Sequence, residues 1–241
     1  MSANHQCPFD SAVQALPDGA YLIAGVLMTE KGLVSQLQRE QIKIYTNGRF
    51  MYAFNNAMTG NIDVGGGLAS WRDGLMVEVP TVNHEGPVSG LSFDVAIQQT
   101  PTGFEQTILG FRYDDGRVVD MVEDWRIAST ARSAFDGLWQ LETSSEEDPE
   151  ISKFTETKMI GGGYFIWLRN GVRGGEPEQD FAFGPWTVDE AGYANEEIAI
   201  SSIEYRQGSV DSMQLQLIDN DHFIQSSVRD TGALIQRYKR I

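Results

Sequence analysis

Cysteine is almost missing: Cys7 stands alone among 241 residues, which excludes an internal disulfide and any cysteine-cluster metal site. Histidine is nearly as scarce. His5, His84 and His222 are far apart in the chain, so no zinc or iron site with paired imidazoles is expected. Basic side chains are outnumbered, 18 Lys and Arg against 34 Asp and Glu, for a formal charge of −16. A surface that negative repels phosphate backbones and anionic lipid, which argues against nucleic acid and membrane partners. No apolar run approaches the roughly 20 residues that span a bilayer. The opening MSANHQCPFDSA lacks a basic stretch followed by an apolar one, so it does not read as a signal peptide, and the expected setting is the cytoplasm.

Chemical signatures are also missing. There is no Gly-x-Ser-x-Gly elbow and no His-Glu-x-x-His. Gly65-Gly66-Gly67 and Gly161-Gly162-Gly163 lack the Lys-Ser/Thr pair or strand-to-helix context of a phosphate cradle, and read as tight turns. Any chemistry here is expected to run without a cofactor, metal or nucleotide.

What is present is enough apolar residue to bury a core, 41% against 22% charged, and an internal repeat. The stretch Lys43-Ile-Tyr-Thr-Asn-Gly48-Arg-Phe50-Met-Tyr52 aligns with Lys158-Met-Ile-Gly-Gly-Gly163-Tyr-Phe165-Ile-Trp167 at a spacing of 115. Trp71 and Trp186 keep that spacing. Asp18-Gly-Ala-Tyr21 resembles Asp136-Gly-Leu-Trp139, and Glu123-Asp-Trp125-Arg126 resembles Gln236-Arg-Tyr238-Lys239. Four matches in one order divide the chain into two repeats, 1–129 and 130–241. Both halves are acidic, at −7 and −9.

Both repeats read as strand. Leu91, Phe93, Val95 and Ile97 alternate with Ser92, Asp94, Ala96 and Gln98, as do Met213, Leu215 and Leu217 with Gln214 and Gln216. Turn pairs such as Asn47-Gly48 and Asp73-Gly74 recur at strand-length intervals, which suggests hairpin-connected antiparallel sheets. Short capped helices are expected at Asp10–Leu16, ahead of Pro17, and at Ser129–Ala134.

These residues resemble the bacterial lipocalin-like domain, a calycin-type family of antiparallel barrels. The resemblance rests on the Gly-aromatic start, the Lys-to-aromatic motif, the Gly-rich turn before Trp71 and the closing aromatic-basic pair. It covers nearly the whole chain, twice. Repeat 2 departs from it, with Gly184-Pro185 in place of the triple glycine and a longer turn at Glu176–Asp180. The resemblance implies an all-β fold of two tandem lipocalin-like barrels, each with room for side chains or one small ligand. Such folds host carriers and enzymes alike.

Phe50, Tyr52 and Phe54 share one strand face, as do Phe165, Trp167 and Arg169. If they point inward, these rings with Trp71 and Trp186 line cavities suited to an aromatic or hydrophobic small molecule; otherwise they fill a core. Candidate acid–base residues are His84, in the polar loop Thr81–Gly86, and Glu78, in Met76-Val-Glu-Val-Pro80. Glu196 and Glu197 occupy the matching part of repeat 2. Each glutamate is either an inward acid with a raised pKa or an ordinary outward residue. Tyr45, Arg49 and Tyr52, with Arg112 and Tyr113, could orient a carboxylate or phenol. His222 and the basic pair Arg126 and Lys239 read as turn-facing and barrel-end residues.

The function expected is a cofactor-independent lyase, isomerase or decarboxylase on a small aromatic or apolar molecule. Phenolic acid decarboxylases, similar single barrels, offer an analogy in fold and no residue-level match. The alternative is a non-catalytic binding protein for a hydrophobic ligand, and a structural protein with solid cores stands third. Because repeat 1 keeps Tyr52 and His84, the functional cavity is expected there or at the junction. Two fused barrels mimic a homodimer, so a monomeric pseudo-dimer or a homodimer is expected.

Overall fold

The computed structural model describes residues 16–56, 61–112, 116–145, 154–173, 175–229 and 232–241. Within them the chain forms two closed antiparallel barrels of eight strands each. The first runs β1 (Gly19–Glu30), β2 (Leu33–Leu37), β3 (Gln41–Thr46), β4 (Arg49–Asn56), β5 (Asn61–Arg72), β6 (Leu75–Asn83), β7 (Gly86–Pro87), β8 (Phe93–Thr100), β9 (Gly103–Arg112) and β10 (Val118–Ser129). Strand β10 pairs back onto β1 and closes the ring, while β2 and β7 are short additions to β1 and β6. Closure leaves the main strands no open edge.

The second barrel repeats that meander. It comprises β11 (Gly137–Ser144), β12 (Thr155–Gly161), β13 (Tyr164–Arg173), β14 (Glu176–Val188), β15 (Tyr193–Glu197), β16 (Ile200–Ser201), β17 (Val210–Leu217), β18 (His222–Arg229) and β19 (Gly232–Arg240), and β19 closes onto β11. A single 3₁₀ turn, Glu204–Arg206, lies between β16 and β17.

The helix expected at Ser129–Ala134 does not form. Ser129 ends β10 and the following residues make a non-helical connection into β11. Local side chains hold it in that form. Ser129 Oγ accepts from the Ala131 amide at 3.1 Å, Ser133 Oγ accepts from the Phe135 amide at 3.1 Å, and Arg132 reaches Asp18 at 2.9 Å. Such bonds offer the backbone an alternative to the helix. The other expected helix, Asp10–Leu16, lies outside the described residues except for Leu16, which is buried.

Strands β3 and β12 are buried on both faces, and this explains the layout of the whole molecule. Gln41, Lys43 and Tyr45 point into the first barrel. Ile42 and Ile44 point out of it, into a core shared with Met159, Ile166, Leu168, Phe181 and Phe183 of the second barrel. The barrels thus pack through the outer faces of equivalent strands. The hairpin turns Asn47-Gly48 and Gly162-Gly163 carry positive φ in both repeats, as a tight two-residue β-turn requires. Gly162 does more than turn. A Cβ there would lie 2.2 Å from the Ala20 nitrogen, so the glycine lets one barrel approach the backbone of the other.

Candidate functional site

Inside each barrel a buried lysine holds a glutamate and a glutamine. In the first, Lys43 Nζ donates to Glu78 Oε1 at 3.2 Å and to Gln106 Oε1 at 2.9 Å. In the second, Lys158 Nζ donates to Glu196 Oε1 and Gln225 Oε1, each at 2.9 Å. The ammonium groups also face aromatic rings at matching positions, Trp125 and Tyr238, both at 5.3 Å from the ring centre. Burying a lysine is tolerable only with such partners, because an unpaired ammonium in an apolar interior carries a large desolvation cost.

A second charge pair accompanies each lysine, and here the repeats exchange positions. Arg39 lies over the Phe54 ring at 4.4 Å and donates to Glu123 at 2.7 Å. At the counterparts of 39 and 54 stand Phe154 and Arg169, so arginine and phenylalanine have traded places. Arg169 lies over Phe154 at 4.5 Å and donates to Glu156 at 2.7 Å. The acids have traded as well. Gln41 and Glu123 of the first barrel correspond to Glu156 and Gln236 of the second. An aromatic donor then completes each carboxylate: Trp125 Nε1 bonds Glu123 at 3.1 Å, and Tyr238 Oη bonds Glu156 at 2.5 Å. Each interior therefore holds one lysine, one arginine, two glutamates and two glutamines. The leftover glutamine atoms, Gln41 Oε1 and Gln236 Nε2, are buried without a partner.

The carboxylates differ in acidity. Burial pushes the Glu196 carboxyl above its usual range, with Lys158 pulling part of the way back. Burial acts on Glu156 too, but Arg169 and Lys158 outweigh it and hold that carboxyl below the usual range. The Tyr45 and Tyr238 phenols are raised by burial and by the acids they bond, Glu78 and Glu156.

The second barrel opens into a cavity of about 570 Å³. Its wall carries four carboxylates, Glu156, Asp180, Glu196 and Asp211, against three cations, Lys158, Arg169 and Arg206. Trp167 supplies a flat apolar face, and Arg206 lies over that ring at 5.3 Å while ion-paired to Asp211. The sequence reading expected the cavity in the first repeat or at the junction, whereas this one lies in the second repeat and its wall is largely polar.

The residues singled out from sequence fall into separate groups. Tyr45 and Glu78 meet, the phenol donating to Glu78 Oε1 in a short hydrogen bond. Tyr52 and His84 are joined only through Asp63, whose carboxylate accepts from Tyr52 at 3.0 Å and lies 4.0 Å from the His84 ring. Burial raises the Asp63 carboxyl, while Tyr52, His84 and Arg39 act in the opposite direction. Arg49 lies apart from both groups, donating to the Ile241 carbonyl at 2.9 Å where the barrels meet. Phe50 is part of the first barrel's interior core and Trp71 packs against it, while Phe54 lies under Arg39. Phe165, Trp167 and Trp186 belong to the core of the second barrel, and of these Trp167 lines the cavity. Arg112, Arg126 and Lys239 are exposed, and His222 bonds Asp219 in its turn at 2.9 Å. Tyr113, His5 and Cys7 lie outside the described residues.

Lys43, Lys158, Arg39, Glu123 and Glu156 were not among the sequence candidates, whereas Glu78 and Glu196 were, and Arg169 had been placed on the strand face of Phe165 and Trp167. Lys43 and Lys158 had a visible signal, since both open the repeated motif. Among the described residues, no group of three or more His, Cys, Asp or Glu could hold a metal ion, and no helix is long and apolar enough to cross a membrane.

No protein-family model matches the chain, and no curated protein sequence does. Among solved structures, a protein of unknown function from the DUF3598 family of Nostoc punctiforme is similar over 92% of this chain and 96% of its own, at 11% identity and a TM-score of 0.24.

Proposed function

We propose that the protein is a tandem lipocalin-like barrel that takes a small molecule into the cavity of its second barrel and acts on it by proton transfer, without metal or nucleotide, in the manner of a lyase or isomerase. The observation that carries this reading is Glu196. It lies in a cavity wall, its proton is held more tightly than that of an ordinary glutamate, and Lys158 fixes one of its oxygens at 2.9 Å. A carboxyl disfavoured as an anion by burial and favoured by a neighbouring ammonium is suited to exchange a proton with a bound substrate. Trp167 offers its ring face once the Arg206 guanidinium that lies over it is displaced, and the charged wall calls for polar groups on the same molecule. The ligand class thus shifts from the apolar molecule expected from sequence towards an amphipathic one.

The test is turnover of a panel of small amphipathic carbonyl compounds and acids, followed by NMR, in wild type and Glu196→Gln. A role as proton carrier predicts a loss of about a hundredfold or more in the variant, with the fold intact by circular dichroism. A substrate turned over equally well by both removes Glu196 from the chemistry.

A non-catalytic binder is the second reading, favoured by one observation. Lys158, Arg169 and Arg206 are each already ion-paired, which suits holding a ligand at least as well as transforming one. Saturable binding across the panel with no turnover of any member would decide for it.

A further inference from the structure

We infer that the mouth of the second barrel's cavity is a subsite for an organic cation, a guanidinium or alkylammonium group, and that Arg206 is its built-in occupant. This inference rests on the second barrel's cavity being a small-molecule site.

The subsite has two parts. Trp167 presents a ring face, Asp211 presents a carboxylate, and both line the cavity. The Arg206 guanidinium fills the space they define, over the ring at 5.3 Å and ion-paired to Asp211. An indole face beside a carboxylate attracts a cation through the ring quadrupole and through charge. Arg206 belongs to the 3₁₀ turn Glu204–Arg206, none of whose residues is buried. Its backbone is held by short-range bonds: its carbonyl accepts from Ser209 Oγ at 2.6 Å and its amide donates to the Ile203 carbonyl at 2.9 Å. The guanidinium can therefore swing towards solvent without disturbing a strand.

Wall charge favours the same class of ligand. Moving Arg206 aside leaves four carboxylates against Lys158 and Arg169, so a ligand cation restores the balance that an anion would worsen. Gln236 adds an independent mark. It is 2% exposed, it lies on the cavity wall, and its Nε2 has no hydrogen-bond acceptor. A buried donor left unpaired is costly, and a ligand that carries an acceptor satisfies it. The ligand inferred has a cationic group at one end and a neutral carbonyl acceptor at the other.

Calorimetric titration with three probes, n-butylguanidinium, 4-guanidinobutanamide and butanoate, tests this on the full chain at low salt. Arg206→Ala empties the subsite. It should tighten both guanidinium probes about tenfold or more over wild type, with a change in tryptophan emission from Trp167. Asp211→Asn added to Arg206→Ala should abolish that gain. Gln236→Leu should remove the advantage of 4-guanidinobutanamide over n-butylguanidinium. Butanoate should bind no more tightly in any of these proteins. Guanidinium binding unchanged by Arg206→Ala, or butanoate binding as well as the cations, overturns the inference. Binding is read here without turnover, so loss of activity in Glu196→Gln alongside an indifferent Arg206→Ala would defeat this inference and leave the proton-transfer reading standing.

Discussion

The two barrels carry the same charged groups and use them differently. In the first, Glu78 is held by both Lys43 and the Tyr45 phenol. The counterpart of Tyr45 is Ile160, so that phenol has no equivalent beside Glu196, which lines the cavity of the second barrel. Arg39 lies over Phe54 in the first barrel, whereas in the second the arginine has moved to position 169 and joins the cavity wall. The comparison teaches that charge content was kept while its placement changed. A residue-by-residue alignment of the repeats would score Arg39, Gln41, Phe54 and Glu123 as four losses, yet together they form one conserved arrangement.

The largest effect that sharpens this contrast comes from the lysines. Removing one partner of a buried ion pair costs about 3–5 kcal/mol. Lys158→Met should reach the upper end because Glu196 is the more deeply buried acid, and Lys43→Met the lower end because Glu78 retains the Tyr45 phenol as a partner. Urea unfolding of the two variants gives the order, and the reverse order would break the comparison.

The turns at the junction come next. Gly162→Ala puts a Cβ against the Ala20 backbone at a positive φ, and should cost about 2–4 kcal/mol, the range of other steric and backbone-strain substitutions. Asn47→Ala, at the matching turn with φ 50, has no such collision and should cost about 1 kcal/mol. Equal losses in thermal unfolding would mean that the barrels do not bear on each other at Gly162 in the way described.

The exchange of positions can be reversed by design. Glu123→Gln alone strands Arg39 and should cost about 2–3 kcal/mol. Arg39→Phe, Phe54→Arg, Gln41→Glu and Glu123→Gln combined rebuild the second barrel's arrangement inside the first, and should recover all but about 1 kcal/mol. A quadruple variant worse than the single one would show that the two arrangements are not equivalent.

The smallest expected effect is in pH dependence. Glu156 is more acidic in the folded protein than its ordinary value. Its contribution is present above that ordinary range and lost as pH falls through the folded value, so Glu156→Gln should flatten the acid side of the stability profile. Glu196 is shifted the other way. Stability should fall as pH rises from the ordinary glutamate range to the raised folded value, and Glu196→Gln should remove that fall. Both steps should be readable in urea titrations from pH 3 to 8.

Much of the fold was legible because strands and turns write themselves locally. Asn47-Gly48 and the alternation at Phe93–Ile97 name a hairpin and a strand without reference to anything distant. The interior was not legible for a reason of parity. Glu78 sits in an alternating strand, and a shift of one residue sends it to the other face; the register irregularity between Gly66 and Gly67, where β5 pairs with β6, is invisible in a string of three glycines. Lys43 was passed over because lysine is so rarely buried, although its recurrence at Lys158 marked it. The helix expected at Ser129–Ala134 failed because serine side chains there serve the backbone in an extended connection instead. Arg206 and Asp211 could not be linked to Trp167 from sequence, being some forty positions away and joined to it only by closure of the second barrel.

The shared core between the barrels has a consequence for concentration. Two separate barrels meeting through Ile42, Ile44, Met159 and Ile166 would associate or fall apart with dilution. Joined by the short connection from Ser129 to Gly137, each barrel meets the other at an effective concentration set by the tether and independent of how much protein is present. Pairing is then assured at any abundance. Either half can alter its interior, as the exchanged arginine and glutamate show, without having to recognise a free partner again.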